Sequence, residues 1–238
     1  CDAAEVLTDG TPIQISSVGA TSSYFEITPP SLGCNLPGGW CTSDADASVS
    51  VWATFTAEEG VNYKVSSCNG STNFDTQIAV WVADDCGDWS SFVLMGANDD
   101  TYCGTGNYYS STCYTSCMAA GTQALIQIDG WNGANGIAEL TVEASEVEPV
   151  LEASVHNISC ALETEFNPNG SIHLYIYYGG LDWDATWTGP FGNQFSGISI
   201  DGLLPGVYNV DIVSSCTGEI LTGSYTIVNP EPLEIEVF

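Results

Sequence analysis

Asn98, Asp99 and Asp100 stand in one run, "ANDD", while Asp75 precedes one strand-like stretch and Asp129 closes another. Carboxylates, amides and carbonyls in turns at strand ends are the oxygen donors of calcium, which takes roughly six to eight of them. Adjacent Asp99 and Asp100 repel each other, and the chain has no arginine and only one lysine, Lys64, to relieve them. A bound cation would offset that repulsion. The spacing is not that of an EF-hand, which needs DxDxDG and a later Glu. The expectation is a calcium site drawn from Asp75, Asn98, Asp99, Asp100 and Asp129. The competing reading is that these side chains only bond backbone donors within their own turns. "DDCGD" at 84–88 is a second acidic loop of the same kind.

Aromatic side chains offer a second chemistry. Trp89 in "CGDWSS" and Trp131 in "DGWNGANG" lie in turn-rich stretches, where an exposed indole could stack on a sugar ring. Trp52, Trp81 and Trp187 fall within alternating strand patterns and are expected in a core. The two histidines, His156 and His173, sit near no GxSxG or comparable nucleophile motif. A Ser-His-Asp site needs three groups within hydrogen-bond reach, and nothing in the spacing brings them together.

Ten cysteines lie at 1, 34, 41, 68, 86, 103, 113, 117, 160 and 216. None form a CxxC pair, so a disulfide framework outside the cytoplasm is expected in preference to zinc. Only Cys160 and Cys216 follow residue 148, which makes them partners for each other. Spacing does not choose among the pairings of Cys1, Cys34, Cys41, Cys68, Cys86, Cys103, Cys113 and Cys117. The local pairs would be Cys34–Cys41 and Cys113–Cys117. A chain beginning at Cys1 could also be lipidated there, although the even count argues against it.

Charge excludes whole classes of partner. There are 30 acidic residues against one basic residue, and the net charge is −29. Nucleic acid requires Lys and Arg to displace counterions, so it is excluded as an expected partner, and anionic lipid headgroups are disfavoured for the same reason. No apolar run is long enough to insert in a membrane.

The elements that must position these groups are strands. "VSVWATFT" aligns Val49, Val51, Ala53 and Phe55, and "VNYKVS" aligns Val61, Tyr63 and Val65. "TQIAVWV", "ALIQID", "IAELTVE", "SIHLYIYY", "VYNVDIV" and "SYTIV" continue the period-2 alternation. Gly, Asn, Asp and Ser clusters separate them, and no amphipathic helix is apparent. The fold class is all-β: two tandem, disulfide-containing β-sandwiches of Ig-like or jelly-roll-like type. "SEVEPV" at 145–150 marks a linker, giving modules at 1–146 and 147–232. Residues 231–238 repeat the Glu-Pro and alternation that open the second module, and 233–238 read as the first strand of a further repeat or a donor strand.

The second module carries a frame: Cys160, "NGSIHLYIYYGG" (169–180), "WTGPFGN" (187–193), "ISIDGLLPGVYNVDI" (198–212), Cys216 and "GSYTIVNPEP" (223–232). This resembles the SprB-type repeat of large surface adhesins from gliding bacteria. It departs from the usual repeat in "GGLDWDATW", where Asp182 and Asp184 replace commoner proline and tyrosine. The first module, over about 45–145, is similar to the bacterial pre-peptidase C-terminal β-sandwich, through "VSVWATFTAEEGVNYKVSSC", "FDTQIAVWVADDCG" and "GTQALIQIDGWNGANGIAELTVEA". Residues 20–44 match neither frame.

These resemblances imply an extracellular structural and adhesive segment of a modular bacterial cell-surface protein, not an enzyme. They imply export by a type IX-like route and possible assembly into a filament. The expected partners are other copies or modules of the same surface protein, and glycans. The alternative is an accessory carbohydrate-binding segment of a secreted hydrolase.

Overall fold

The computed structural model describes residues 4–23, 25–43, 46–58, 61–104, 109–145, 147–159 and 168–230. Cys1, Cys160 and residues 231–238, on which several expectations rest, lie outside them. The described residues are nearly all strand and turn, with only short 3-10 turns such as Trp89–Ser91. None of their helices is long and apolar enough to cross a membrane. The chain divides into two compact units: Cys1–Val150 with Ile176–Asp182, and Leu151–Tyr175 with Trp183–Phe238. The division falls just after the expected 146/147 boundary, and the segment Ile176–Asp182 counts with the first unit.

The first unit contains β1 (Glu5–Val6), β2 (Ile13–Ser16), β3 (Ser31–Leu32), β4 (Trp40–Cys41), β5 (Val51–Thr56), β6 (Tyr63–Ser66), β7 (Thr76–Ala83), β8 (Phe92–Asn98), β9 (Thr112–Tyr114), β10 (Gln123–Gly130) and β11 (Ile137–Ala144). One sheet runs β1-β5-β10-β7-β8 and a second β2-β11-β6-β9, with β3 and β4 a small parallel pair. Alternation decides which side chains meet between the sheets. Ala53, Phe55, Ile78, Val80, Ile126 and Ile128 come from the first sheet, and Ile15, Tyr63, Val65, Leu140 and Val142 from the second. Burying one such aliphatic side chain contributes roughly 1.5–3 kcal/mol.

The other face of the five-stranded sheet is covered as well. Ala79, Trp81, Ala97 and Leu125 pack with Trp40, and Ile27, Trp52, Phe92 and Leu94 lie against them. Residues 76–81 of β7 are consequently buried on both faces. Residues 25–43, which match no frame, supply part of this layer through Ile27 and Trp40. Its anchor is the fully buried Trp40, whose indole N–H donates to the Ile78 carbonyl at 3.0 Å. Beside it Gly39 is required: a Cβ there would sit 2.3 Å from the Pro30 oxygen.

The second unit contains β12 (Val150–His156), β13 (Gly170–Tyr177), β14 (Trp183–Thr188), β15 (Gln194–Ser196), β16 (Ser199–Leu203), β17 (Gly206–Ser214) and β18 (Ile220–Ile227), less the boundary residues assigned to the first unit. Its sheets run β12-β13-β16 and β15-β14-β17-β18. Here the alternation is clean, so that β14 and β17 bury every second residue. Tyr208 and Trp187 are fully buried. The Tyr208 hydroxyl donates to the Leu204 carbonyl at 2.9 Å, the geometry of a tyrosine corner in an Ig-type sandwich. The Trp187 indole N–H donates to the Gly197 carbonyl at 2.9 Å.

Disulfides join Cys34 to Cys41 and Cys68 to Cys103. Cys86, Cys117 and Cys216 are also disulfide-bonded. The expected Cys113–Cys117 pair does not form. Cys113 is a buried free thiol, because β9 places it opposite Val65 in the core between the sheets. Burial pushes its thiol up to about 12.

Candidate cation site

β7 and β8 are antiparallel neighbours with Ile78 opposite Asn98, so the start of one and the end of the other share one end of the sheet. Asp75 immediately precedes β7, and Asp99 and Asp100 immediately follow β8. The hairpin therefore delivers all three carboxylates to one place, with ligand atoms within 4.8 Å of one another. β10 ends at the same level, Gly130 opposite Thr76, and the Trp131 N–H donates to the Asp75 carbonyl at 3.2 Å.

The Cys34–Cys41 loop closes over the group. The Cys41 N–H donates to Asp99 Oδ2 at 2.8 Å, and the Asp100 N–H donates to the Cys34 carbonyl at 2.9 Å. Gln77 Nε2 also donates to Asp99 Oδ2, at 2.9 Å. Asp99 is 1% exposed, whereas Asp75 and Asp100 are half-buried. Cys34, Cys41, Ser43, Tyr109 and Trp131 complete a cleft of about 170 Å³ around the three acids.

The electrostatics are those of crowded, uncompensated acids. Burial, then Asp100, then Asp99 push the Asp75 carboxyl up to about 7, and burial raises Asp100 as well. Asp75 Oδ1 is buried and has no hydrogen-bond partner. A buried carboxylate oxygen in this position must be protonated or meet a cation. The donors are oxygens only, which suits a hard cation such as calcium or magnesium and not zinc. Asp75, Asp99 and Asp100 are the residues that would hold it.

The remaining expected residues are placed differently. Asn98 is buried beside the cluster, but its Oδ1 accepts from Thr101 Oγ1 at 2.8 Å and its Nδ2 donates to the Leu36 carbonyl at 3.5 Å. Asp129 is fully buried and lies outside this group of three carboxylates. Its oxygens accept from Ser48 N–H and Oγ–H, Val49 N–H, Ser50 Oγ–H and Gly130 N–H. Those donors hold residues 48–50 against the sheet end and occupy the carboxylate. The 84–88 loop follows the turn-capping reading: Asp85 Oδ1 accepts from the Gly87 N–H, and Asp88 Oδ1 from the Ser90 N–H and hydroxyl.

Trp131 is 37% exposed at the rim of the acidic cleft, with its indole N–H donating to Ser43 Oγ at 3.2 Å. Trp89 is not an open platform. It is half-buried, stacked on Trp52 at 6.0 Å between ring centroids and tilted against Phe92 at 4.9 Å. The Cys34–Cys41 loop is the part of the site that spacing did not connect to the acids: the bridge was one of several local pairings left open, and nothing in the spacing put it over β7 and β8. A scan against protein-family models and a search of curated proteins both find no match to the chain.

Proposed function

We infer that this chain is a structural and adhesive segment of an extracellular, modular protein of a bacterial cell surface, with the acidic cleft of the first unit as a calcium site. The observation that carries the reading is disulfide cross-linking in both all-β units: Cys34–Cys41 and Cys68–Cys103 in the first, and bonded Cys216 in the second. Disulfides persist in oxidising compartments, where small sandwiches exposed to proteases and force gain most from them. The tyrosine corner at Tyr208 and the "GLLPGVYNV" turn support the SprB-like frame of the second unit. That frame is what suggests tandem copies, filament formation and type IX export. The orphaned Asp75 Oδ1 supports the cation.

Antibody raised against the chain should label intact cells of the source organism, and the purified chain should compete with their attachment. Label found only after lysis, on reduced protein, would overturn the reading. Titration calorimetry with calcium chloride should give one site that is lost in Asp75→Asn; no heat beyond dilution would remove calcium from the proposal while leaving the surface assignment standing.

A further inference from the structure

We propose that the first unit also carries a sugar-binding cleft, lined by tyrosines and sharing Asp100 with the carboxylate cluster, that takes a neutral pyranose. This adds a ligand class to the adhesive reading and rests on it. The cleft has a volume of about 330 Å³, in the range of small-molecule sites, and Tyr102, Tyr114, Tyr177 and Tyr178 line it with Asn35, Asp100 and Thr101. All of these residues belong to the first unit as delimited above.

The aromatic surface is both open and held in place. Tyr102 is 63% exposed and Tyr178 40% exposed. Tyr178 adopts φ +68°, a left-handed conformation that a bulky residue occupies only when its surroundings impose it. The imposing contacts are present. The Tyr114 ring meets the Tyr178 ring edge-on at 5.0 Å. Asn62 Nδ2 donates to the Gly179 carbonyl at 3.1 Å, and the Leu181 N–H donates to Ser116 Oγ at 3.0 Å. Gly180, at φ +72°, lies so close to Thr115 that a Cβ would sit 2.2 Å from its carbonyl oxygen. A ring fixed in this way loses little freedom when a ligand stacks on it.

The lining selects among ligand classes. A pyranose presents a C–H face to aromatic rings and hydroxyls at its rim, which amides, hydroxyls and a carboxylate can pair. An anionic ligand would find no positive partner: Lys64 is the chain's one basic residue, and it is paired with Glu143 at 3.7 Å. A cation would meet one carboxylate in this cleft, against three where Asp75 and Asp99 join Asp100. Apart from Asp100, the polar side chains that line the cleft are neutral: asparagine amides and threonine and tyrosine hydroxyls.

Saturation-transfer NMR on the whole 238-residue chain tests the proposal. The probes are the methyl glycosides of glucose, galactose, mannose and N-acetylglucosamine, with choline and acetate as charged controls. At least one glycoside should receive saturation through its ring C–H protons. Its affinity should fall about tenfold in Tyr102→Ala, with the fold of the variant checked by circular dichroism, and stay unchanged in Trp131→Ala. No transfer to any glycoside, preferential transfer to choline or acetate, or equal binding by Tyr102→Ala would each overturn the proposal. Surface labelling and attachment are measured without these sugars, so the adhesive reading stands or falls separately.

Discussion

Two carboxylates at one end of the same sheet show how surroundings, and not residue type, assign a role. Asp129 is fully buried and accepts hydrogen bonds from three backbone and two side-chain donors, so its charge is satisfied by the protein itself. Asp75 has a buried oxygen without a donor and two acids beside it. Its carboxyl is raised from 3.8 to about 7, so the folded state binds that proton more tightly than the unfolded state does. The resulting contribution to stability is fully present below about pH 4 and is lost as pH rises through about 7. In EDTA, Asp75→Asn should therefore raise Tm at pH 8 by about 2–4 °C, corresponding to roughly 1 kcal/mol after allowing for solvent screening, and change it little at pH 4. In calcium the order should reverse at pH 8, because the variant loses a ligand. Thermal melts under the two conditions decide the matter, and a variant that gains as much stability from calcium as the native chain does would argue against Asp75 as a ligand.

At the scale of elements, the Cys34–Cys41 loop and the β7–β8 hairpin make the site together. The loop gives a backbone N–H to Asp99 and a carbonyl to the Asp100 N–H, so it orients two of the three acids. The double variant Cys34→Ser with Cys41→Ser should bind calcium about tenfold more weakly by calorimetry while the sandwich still folds, as expected when a group that orients ligands is loosened. Unchanged affinity would show that the hairpin alone is sufficient. A second element carries avoidable strain: Phe191, in the turn Pro190–Gly192, sits at φ +66° and is 94% exposed. Phe191→Gly relieves the left-handed conformation and removes almost no packing, and should raise the denaturant midpoint by an amount worth about 1 kcal/mol. A lowered midpoint would mean that the ring has a partner. The strands themselves were legible, since period-2 alternation names the inward faces of β5, β6, β10 and β17. The outer layer was not. β3 and β4 are two residues each, too short to show a period, and Trp40 is buried by contacts distant in sequence. Spacing likewise suggested Cys113–Cys117, whereas pairing of β9 with β6 turned Cys113 into the core. Of the expected cation ligands, Asp75, Asp99 and Asp100 come together because a hairpin returns its ends to one place. Nothing local distinguishes them from Asp129, whose donors at 48–50 lie far away in sequence.

For the whole molecule the governing quantity is the net charge of −29, in which a single basic residue stands against 30 acidic ones. Self-repulsion of this size opposes the compact state, and it extends over about 10 Å at 0.1 M salt. Two kinds of cation effect should then be separable. Sodium chloride acts by screening, so Tm should climb gradually with concentration and show no saturation at a stoichiometric point. Calcium should do the same and, in addition, occupy the cleft formed by Asp75, Asp99 and Asp100, where three carboxylates share one space. At matched ionic strength, calcium chloride should therefore give a higher Tm than sodium chloride, with the excess saturating as a single site fills. Asp75→Asn should abolish the excess and leave the screening slope untouched, because it removes one charge of many. Identical curves for the two salts would reduce calcium to a counterion and make the acidity a matter of solubility alone. An excess that persists in Asp75→Asn would place the bound ion elsewhere on the surface.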